Sequence, residues 1–233
     1  MTLDDDQIKQ LSLDLLKSKT KRDKQTKIGP SGIGNPCDYC LAQSLLGGQS
    51  QKNNPWWMGA RIGTAIHGLM ETEVLKHVDT PMEPRFNVLK DASAEQRLFI
   101  THLEGYGNIY GNSDLRLATG NLIDWKTTTR DKIKKYRLNG VPNQYIVQQN
   151  LYAYGWNQIE EGAVEKCSLV FIARDGTGDN DILVHSFDYS PDIVEYSLNR
   201  LRNIWSYLQS GGDPDKLESH DECFVCQNIL RRW

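Results

Sequence analysis

Residues 120–129 read "GNLIDWKTTT". Leu122 and Ile123 are apolar, Asp124, Trp125 and Lys126 interrupt them, and a run of threonines follows. The stretch predicts a short buried strand that turns polar at its end. Residues two apart on a strand share a face, so Asp124 and Lys126 stand side by side while Trp125 points to the other side. An acid and a lysine on one face are either a surface ion pair or part of a chemical site. The flanking sequence has to decide which.

Outward from this stretch, "RFNVLK" (85–90), "RLFITHLEG" (97–105) and "NIYGNSDLRLAT" (108–119) are short apolar-rich runs separated by turn residues. With 120–128 they predict successive strands of an antiparallel meander. "CSLVFIARD" (167–175) and "DILVHSFDYS" (181–190) add strands around a "DGTGDND" turn. Helical spacing marks 5–19, 143–159 and 191–209, the last with Pro191 in its first turn. It also marks 58–78, where Ile62, Ile66, Leu69, Met70 and Val74 recur. "CLAQSLLGG" reads as a helical turn or two stopped by glycines. Helix, strands, helix, strands, helix in that order predicts an α/β fold, a mixed central sheet flanked by helices.

The 233 residues suit one sizeable domain with an appendage. We expect an N-terminal helix and basic arm over 1–28 and a single domain over 29–233. Apolar and charged contents are ordinary for a soluble globular protein. No run of about 18 apolar residues predicts a membrane span. "MTLDDDQIKQ" has no apolar core, which argues against a signal peptide and for a cytoplasmic location. A net charge of −3 excludes a globally basic nucleic-acid binder. Basic residues are nevertheless concentrated over 17–27, and again at Arg130, Lys132, Lys134, Lys135 and Arg137. Either segment can hold phosphates or simply be a solvated, flexible stretch. Trp56 and Trp57 can stack on bases, but core packing is the more ordinary role for them.

Cys37, Cys40, Cys223 and Cys226 form two Cys-x-x-Cys pairs, which in a cytosolic chain point to a metal before a disulfide. Four thiolates can bind a tetrahedral Zn2+ or an iron–sulfur cluster. Cys167 lies in an apolar run and reads as core. His220 is a weaker alternative ligand.

Near the acid–lysine pair, Asp114 precedes Asp124 by ten residues, on what is expected to be a neighbouring strand. Two carboxylates with a neighbouring cation are what Mg2+-assisted phosphodiester cleavage needs. The carboxylates hold the metal, while Lys126 orients or activates water and offsets transition-state charge. His67 and Glu71 lie one turn apart on a helix face, as do Gln148 and Tyr152.

The order Gly63-x-x-x-His67, Asp114, Asp124-x-Lys126, Gln148-x-x-x-Tyr152 resembles the PD-(D/E)xK nuclease superfamily. More narrowly, it is similar to the RecB-like and Cas4-like exonuclease branch, over roughly residues 29–230. The resemblance implies a restriction-endonuclease-like core. His67, Asp114 and Asp124 would bind Mg2+ or Mn2+, Lys126 would be catalytic, and Gln148 and Tyr152 would support the site, with Glu71 and Tyr152 behind the ligands. It further implies an exonuclease acting at DNA ends in recombination, repair or replication. The setting could be a phage, with a recombination or single-strand-binding partner. Arg130, Lys132, Lys134 and Lys135 would contact the DNA backbone. A structure-specific or restriction-type endonuclease and a non-catalytic DNA-binding module are the alternatives. The branch often carries a cysteine cluster clamping the core, its first member after a "PS" loop, as in "GPSGIGNPC" (29–37). Its usual split is one N-terminal and three C-terminal cysteines. Here the split is two and two, with Arg232 where a third C-terminal cysteine would fall and Cys40 as the substitute. The family argues for a 4Fe-4S cluster, which we expect here, and the paired Cys-x-x-Cys spacing for zinc as the alternative.

Overall fold

Leu122 is fully buried and Trp125 is 5 % exposed, on opposite faces of the strand Asn121–Thr128, labelled β3. That double burial means the strand must be covered on both sides, and the rest of the chain supplies the covers. The computed structural model describes residues 5–17, 27–47, 57–79, 83–221, 223 and 226. Among these, α1 (Asp5–Lys17), α2 (Pro30–Ile33), α3 (Asp38–Leu45) and α4 (Trp57–Leu75) precede β1 (Ser93–Leu103), β2 (Gly107–Arg116) and β3. Then come α5 (Arg130–Asn139), α6 (Asn143–Asn157), β4 (Lys166–Ala173), β5 (Ile182–Asp188) and α7 (Pro191–Gln209). The basic stretch 18–26, Trp56, the Trp57 side chain and Arg232 lie outside the described residues.

The five strands lie side by side in sequence order. β1–β2, β2–β3 and β4–β5 are antiparallel, while β3–β4 is parallel. A parallel pair needs a long crossover, and here α5 and α6 provide it. This is the mixed sheet flanked by helices that the sequence predicts. On one side, Leu122 packs with Leu98, Ile100, Leu151, Trp156 and Leu201, so α6 and α7 cover that face. On the other, Trp125 and Leu115 pack with Val74 and Met70 of α4. α5 closes a third cluster through Ile133, against Leu169 and Phe171.

Two expectations need correction. "RFNVLK" is not a strand but a 3-10 turn, Pro84–Leu89. Proline at its start lacks the N–H a ladder needs. Val88 is 58 % exposed, and Phe86 stacks on His77 with ring centroids 4.0 Å apart. The basic segment after β3 is not a flexible stretch but the helix α5, with Thr129 accepting the Lys132 N–H at its N-terminus.

α6 is buried along most of its length although it is rich in amides. Two of its buried amides bind backbone, because buried polar groups require partners. Gln149 donates to the Leu122 carbonyl at 2.9 Å, and Asn150 accepts the Ser190 N–H at 2.7 Å. α7 is tied to the N-terminal helices by Arg200, which pairs with Asp38 at 2.6 Å and donates to the Ile33 and Asn35 carbonyls. Gly155 lets α6 lie directly on β1, because a Cβ there would meet Leu98 Cβ at 2.9 Å and the Phe99 carbonyl at 3.2 Å. Gly155→Ala is therefore expected to destabilise the fold by about 1–3 kcal/mol despite alanine's better helix propensity. Urea unfolding checks this, and an unchanged or raised midpoint would contradict the close approach.

Candidate active site

β2 and β3 pair over two rungs only, Leu115↔Ile123 and Arg116↔Leu122. Beyond them β2 continues with β1, and β3 with β4. In place of a further rung, the Trp125 N–H donates to the Asp114 carboxylate (Oδ2) at 2.8 Å. This parting of strands opens a cavity of about 1100 Å³, lined in part by His67, Glu95, Asp114, Asp124, Lys126, Gln148 and Tyr152.

Strand alternation sends Asp124 and Lys126 into this cavity together, as the sequence predicts. Lys126 Nζ stands 2.6 Å from Asp124 Oδ2, and the carboxylate is 2 % exposed. Burial pushes the Asp124 pKa up to about 6, opposed by the charge of Lys126. Burial alone would depress Lys126, but Asp124 outweighs it and holds the ammonium above its ordinary value. α4 delivers His67, whose Nδ1 is 3.3 Å from Asp114 Oδ2. The adjoining carboxylate raises the His67 pKa against the effect of burial. Neither His67 Nδ1 nor Asp124 Oδ2 has a hydrogen-bond partner in line, although both atoms are buried. α6 adds Gln148, which donates to the Tyr152 hydroxyl at 3.2 Å. Burial raises the Tyr152 pKa to about 12, so the phenol stays protonated. Tyr145 places its ring centroid 5.5 Å from Lys126 Nζ.

Six of the residues expected at the site, His67, Asp114, Asp124, Lys126, Gln148 and Tyr152, line one cavity. Glu71 does not. It lies one turn further along α4 and was expected behind the ligands, while Glu95 of β1 lines the cavity as a further acid. One ligand atom each from His67, Glu95 and Asp114 lie within 4.8 Å of one another, an arrangement able to hold a metal ion. The sequence reading missed Glu95. The signal was the register, since Ala94↔Leu115 and Gln96↔Ser113 bracket a rung where Glu95 stands opposite Asp114. At that rung Glu95 has φ of 49°, the left-handed region that a glutamate seldom adopts. Arg130, Lys132, Lys134 and Lys135 sit on α5 and do not line the cavity. Arg130 is bound to Asp181 at 3.0 Å, and Lys134 pairs with Asp131 at 3.6 Å.

Away from this cavity, Cys37, Cys40, Cys223 and Cys226 form a second cluster, all four buried and none in a disulfide. Their sulfurs approach to 3.5 Å (Cys37–Cys226), 3.4 Å (Cys40–Cys223) and 3.3 Å (Cys40–Cys226), well beyond a disulfide bond. Burial pushes the Cys40 thiol up, whereas at Cys37 backbone hydrogen bonds from Cys40 and His220 outweigh burial and lower it. His220 is not among the clustered ligand atoms.

No protein-family model matches the sequence, and the search of curated proteins found no match. Several solved structures match it at low identity, each with a TM-score below 0.5. An alkaline exonuclease from Laribacter hongkongensis is 13% identical, with a TM-score of 0.49 over 82% of this chain and 91% of that one. A putative exonuclease from Eubacterium rectale is 10% identical, with a TM-score of 0.49 over 98% and 94%. A phage-related exonuclease from Haemophilus somnus is 14% identical, with a TM-score of 0.41 over 83% and 90%. What the site can do is decided by its own side chains. No described helix is long and apolar enough to cross a membrane.

Mn2+ titration followed by calorimetry tests the ligand set. His67→Ala and Asp114→Ala should each weaken binding by about tenfold or more. Glu71→Ala should bind as wild type does. A loss at Glu71 matching that at His67 would contradict the arrangement.

Proposed function

We propose that this chain is a metal-dependent deoxyribonuclease of the PD-(D/E)xK type, built as one nuclease domain from residue 29 onward. The observation that carries the reading is the convergence of buried Asp124, paired Lys126, Asp114 and His67 in one open cavity. An ordinary surface ion pair needs neither the burial nor the second carboxylate. The fit of a hard divalent cation, Mg2+ or Mn2+, rests on the donor set and on the unaligned buried atoms of His67 and Asp124. His67, Glu95, Asp114 and Asp124 would hold it. When bound, it would polarise a phosphoryl oxygen and make water more acidic.

The chain's own groups supply the rest. Lys126 is held cationic beside Asp124, so it can orient the attacking water and offset charge developing on the phosphate. Tyr152 and Gln148 present a protonated hydroxyl and an amide as donors. Water adds to phosphorus, the ester P–O bond breaks, and a phosphate monoester and a hydroxyl result. Action at DNA ends, for recombination, repair or replication, follows from the resemblance to the RecB-like and Cas4-like branch. Lys132, Lys134 and Lys135, exposed on α5, can meet the phosphate backbone outside the cavity.

For the cysteine site, the sulfur spacing favours one ion over a cluster. A single Zn2+ with bonds of about 2.3 Å spaces four tetrahedral sulfurs roughly 3.8 Å apart. A four-iron cube carries each cysteine outward from a separate corner and holds the sulfurs farther apart. Observed approaches of 3.3 to 3.5 Å lie nearer the single ion. Its role is to tie the segment before α3 to the segment after α7.

The test is cleavage of labelled linear DNA with Mg2+ or Mn2+. Lys126→Ala and Asp124→Asn should each slow it by about 10²–10⁴-fold while the circular dichroism spectrum stays unchanged. Covalently closed circles should remain intact. Wild-type rates in either variant would refute the assignment, and cut circles would replace exonuclease by endonuclease. Purified protein should be colourless and contain one equivalent of zinc. A broad brown absorbance would overturn the single-ion reading.

A further inference from the structure

The cavity does not end at the carboxylates. From the rung where Glu95 faces Asp114, its lining continues along the β1–β2 hairpin through Arg97 and Asn112, Tyr110, and His102 and Asn108. From residue 114 to residue 108 this is roughly 20 Å of strand. A bulge between Phe99 and Thr101 shifts the register. By adding a residue it turns His102 to stand opposite Asn108 on the exposed side.

The side chains along this path are fixed by one another. The Arg97 guanidinium lies over the Tyr110 ring, 4.2 Å from its centroid, and Phe99 meets the same ring edge-on at 5.8 Å. Asn108 donates to the Tyr110 hydroxyl at 3.1 Å, and its carbonyl oxygen is 2.7 Å from His102 Nδ1. At the hairpin turn, Lys27 Nζ donates to the Tyr106 carbonyl at 3.1 Å and adds a second cation. The result is a polar path with an aromatic face, amide edges and two cations, leading into the carboxylates.

We infer that this hairpin path is a binding track for a single strand of nucleic acid, which it feeds into the active site. The inference rests on the nuclease reading and names its substrate form. Aromatic faces bind unpaired bases by stacking, and neighbouring cations follow the backbone. A duplex hides its base faces within its own stack and offers only groove edges and phosphates. Two cations and a tyrosine therefore suit one extended strand better than a duplex.

The test is fluorescence anisotropy of a labelled dT12 oligonucleotide and of a 12-base-pair duplex. It uses the full chain in a Lys126→Ala background, so that the DNA stays intact. The single strand should bind more tightly. Tyr110→Ala should weaken it about tenfold, the loss expected for one stacked base, while Tyr110→Phe stays within about twofold. Arg97→Ala should lower the slope of log affinity against log salt by about one. Tyr110 and Arg97 are not in the core, and Tyr110→Phe controls for folding. Tighter duplex binding, or wild-type affinity in both Tyr110→Ala and Arg97→Ala, would overturn the track. Cleavage by the otherwise wild-type chain separates the two readings. Stacking-dependent binding without cleavage would sink the nuclease reading and keep the track, and cleavage indifferent to Tyr110→Ala would do the reverse.

Discussion

The bond from the Trp125 N–H to the Asp114 carboxylate is the constraint on which the site depends. Two strands that pair for two rungs and then part leave backbone donors facing a gap. A buried N–H without a partner is costly, and here a side chain replaces the missing strand. The same carboxylate is thereby turned toward His67 and Glu95. One interaction closes the backbone accounting of the sheet and also aims an acid into the cavity. Everything else supports that parting. Trp125 anchors β3 against α4, and Leu122 anchors it against α6, so the strand cannot slide to restore the missing rungs.

Burial then sets the chemistry. Asp124 and Lys126 on an exposed strand would form a weak, screened pair. In the cavity wall each controls the other's charge, since the ammonium opposes the protonation that burial favours in the carboxylate. The tyrosine behind them stays protonated for the same reason. A site with a fixed cation, buried acids and neutral donors is suited to a reaction in which negative charge grows on a phosphate.

Much of this was legible in the sequence. Period-two alternation put Asp124 and Lys126 on one face and Trp125 on the other. Helical spacing set Gln148 and Tyr152 on one face of α6. What the sequence could not show was long-range register. Glu95 is unremarkable in "SAEQRLF" (93–99) until β1 pairs with β2 and brings it opposite Asp114. Glu71 was expected behind the ligands because it is one turn from His67, and it does not line the cavity itself. "RFNVLK" has strand-like composition yet no partner, and composition cannot report a missing partner. The cysteines were the reverse case. Their spacing pointed to metal and the family resemblance to one shared site, and the fold brings the two distant pairs together.

The central claim is that His67, Glu95, Asp114 and Asp124 hold one divalent cation where the strands part. Anomalous diffraction from a crystal of the protein soaked in Mn2+ tests it directly. The account predicts a manganese peak bounded by those four side chains and adjoining Lys126. Full occupancy elsewhere, with no peak in that cavity, would contradict it.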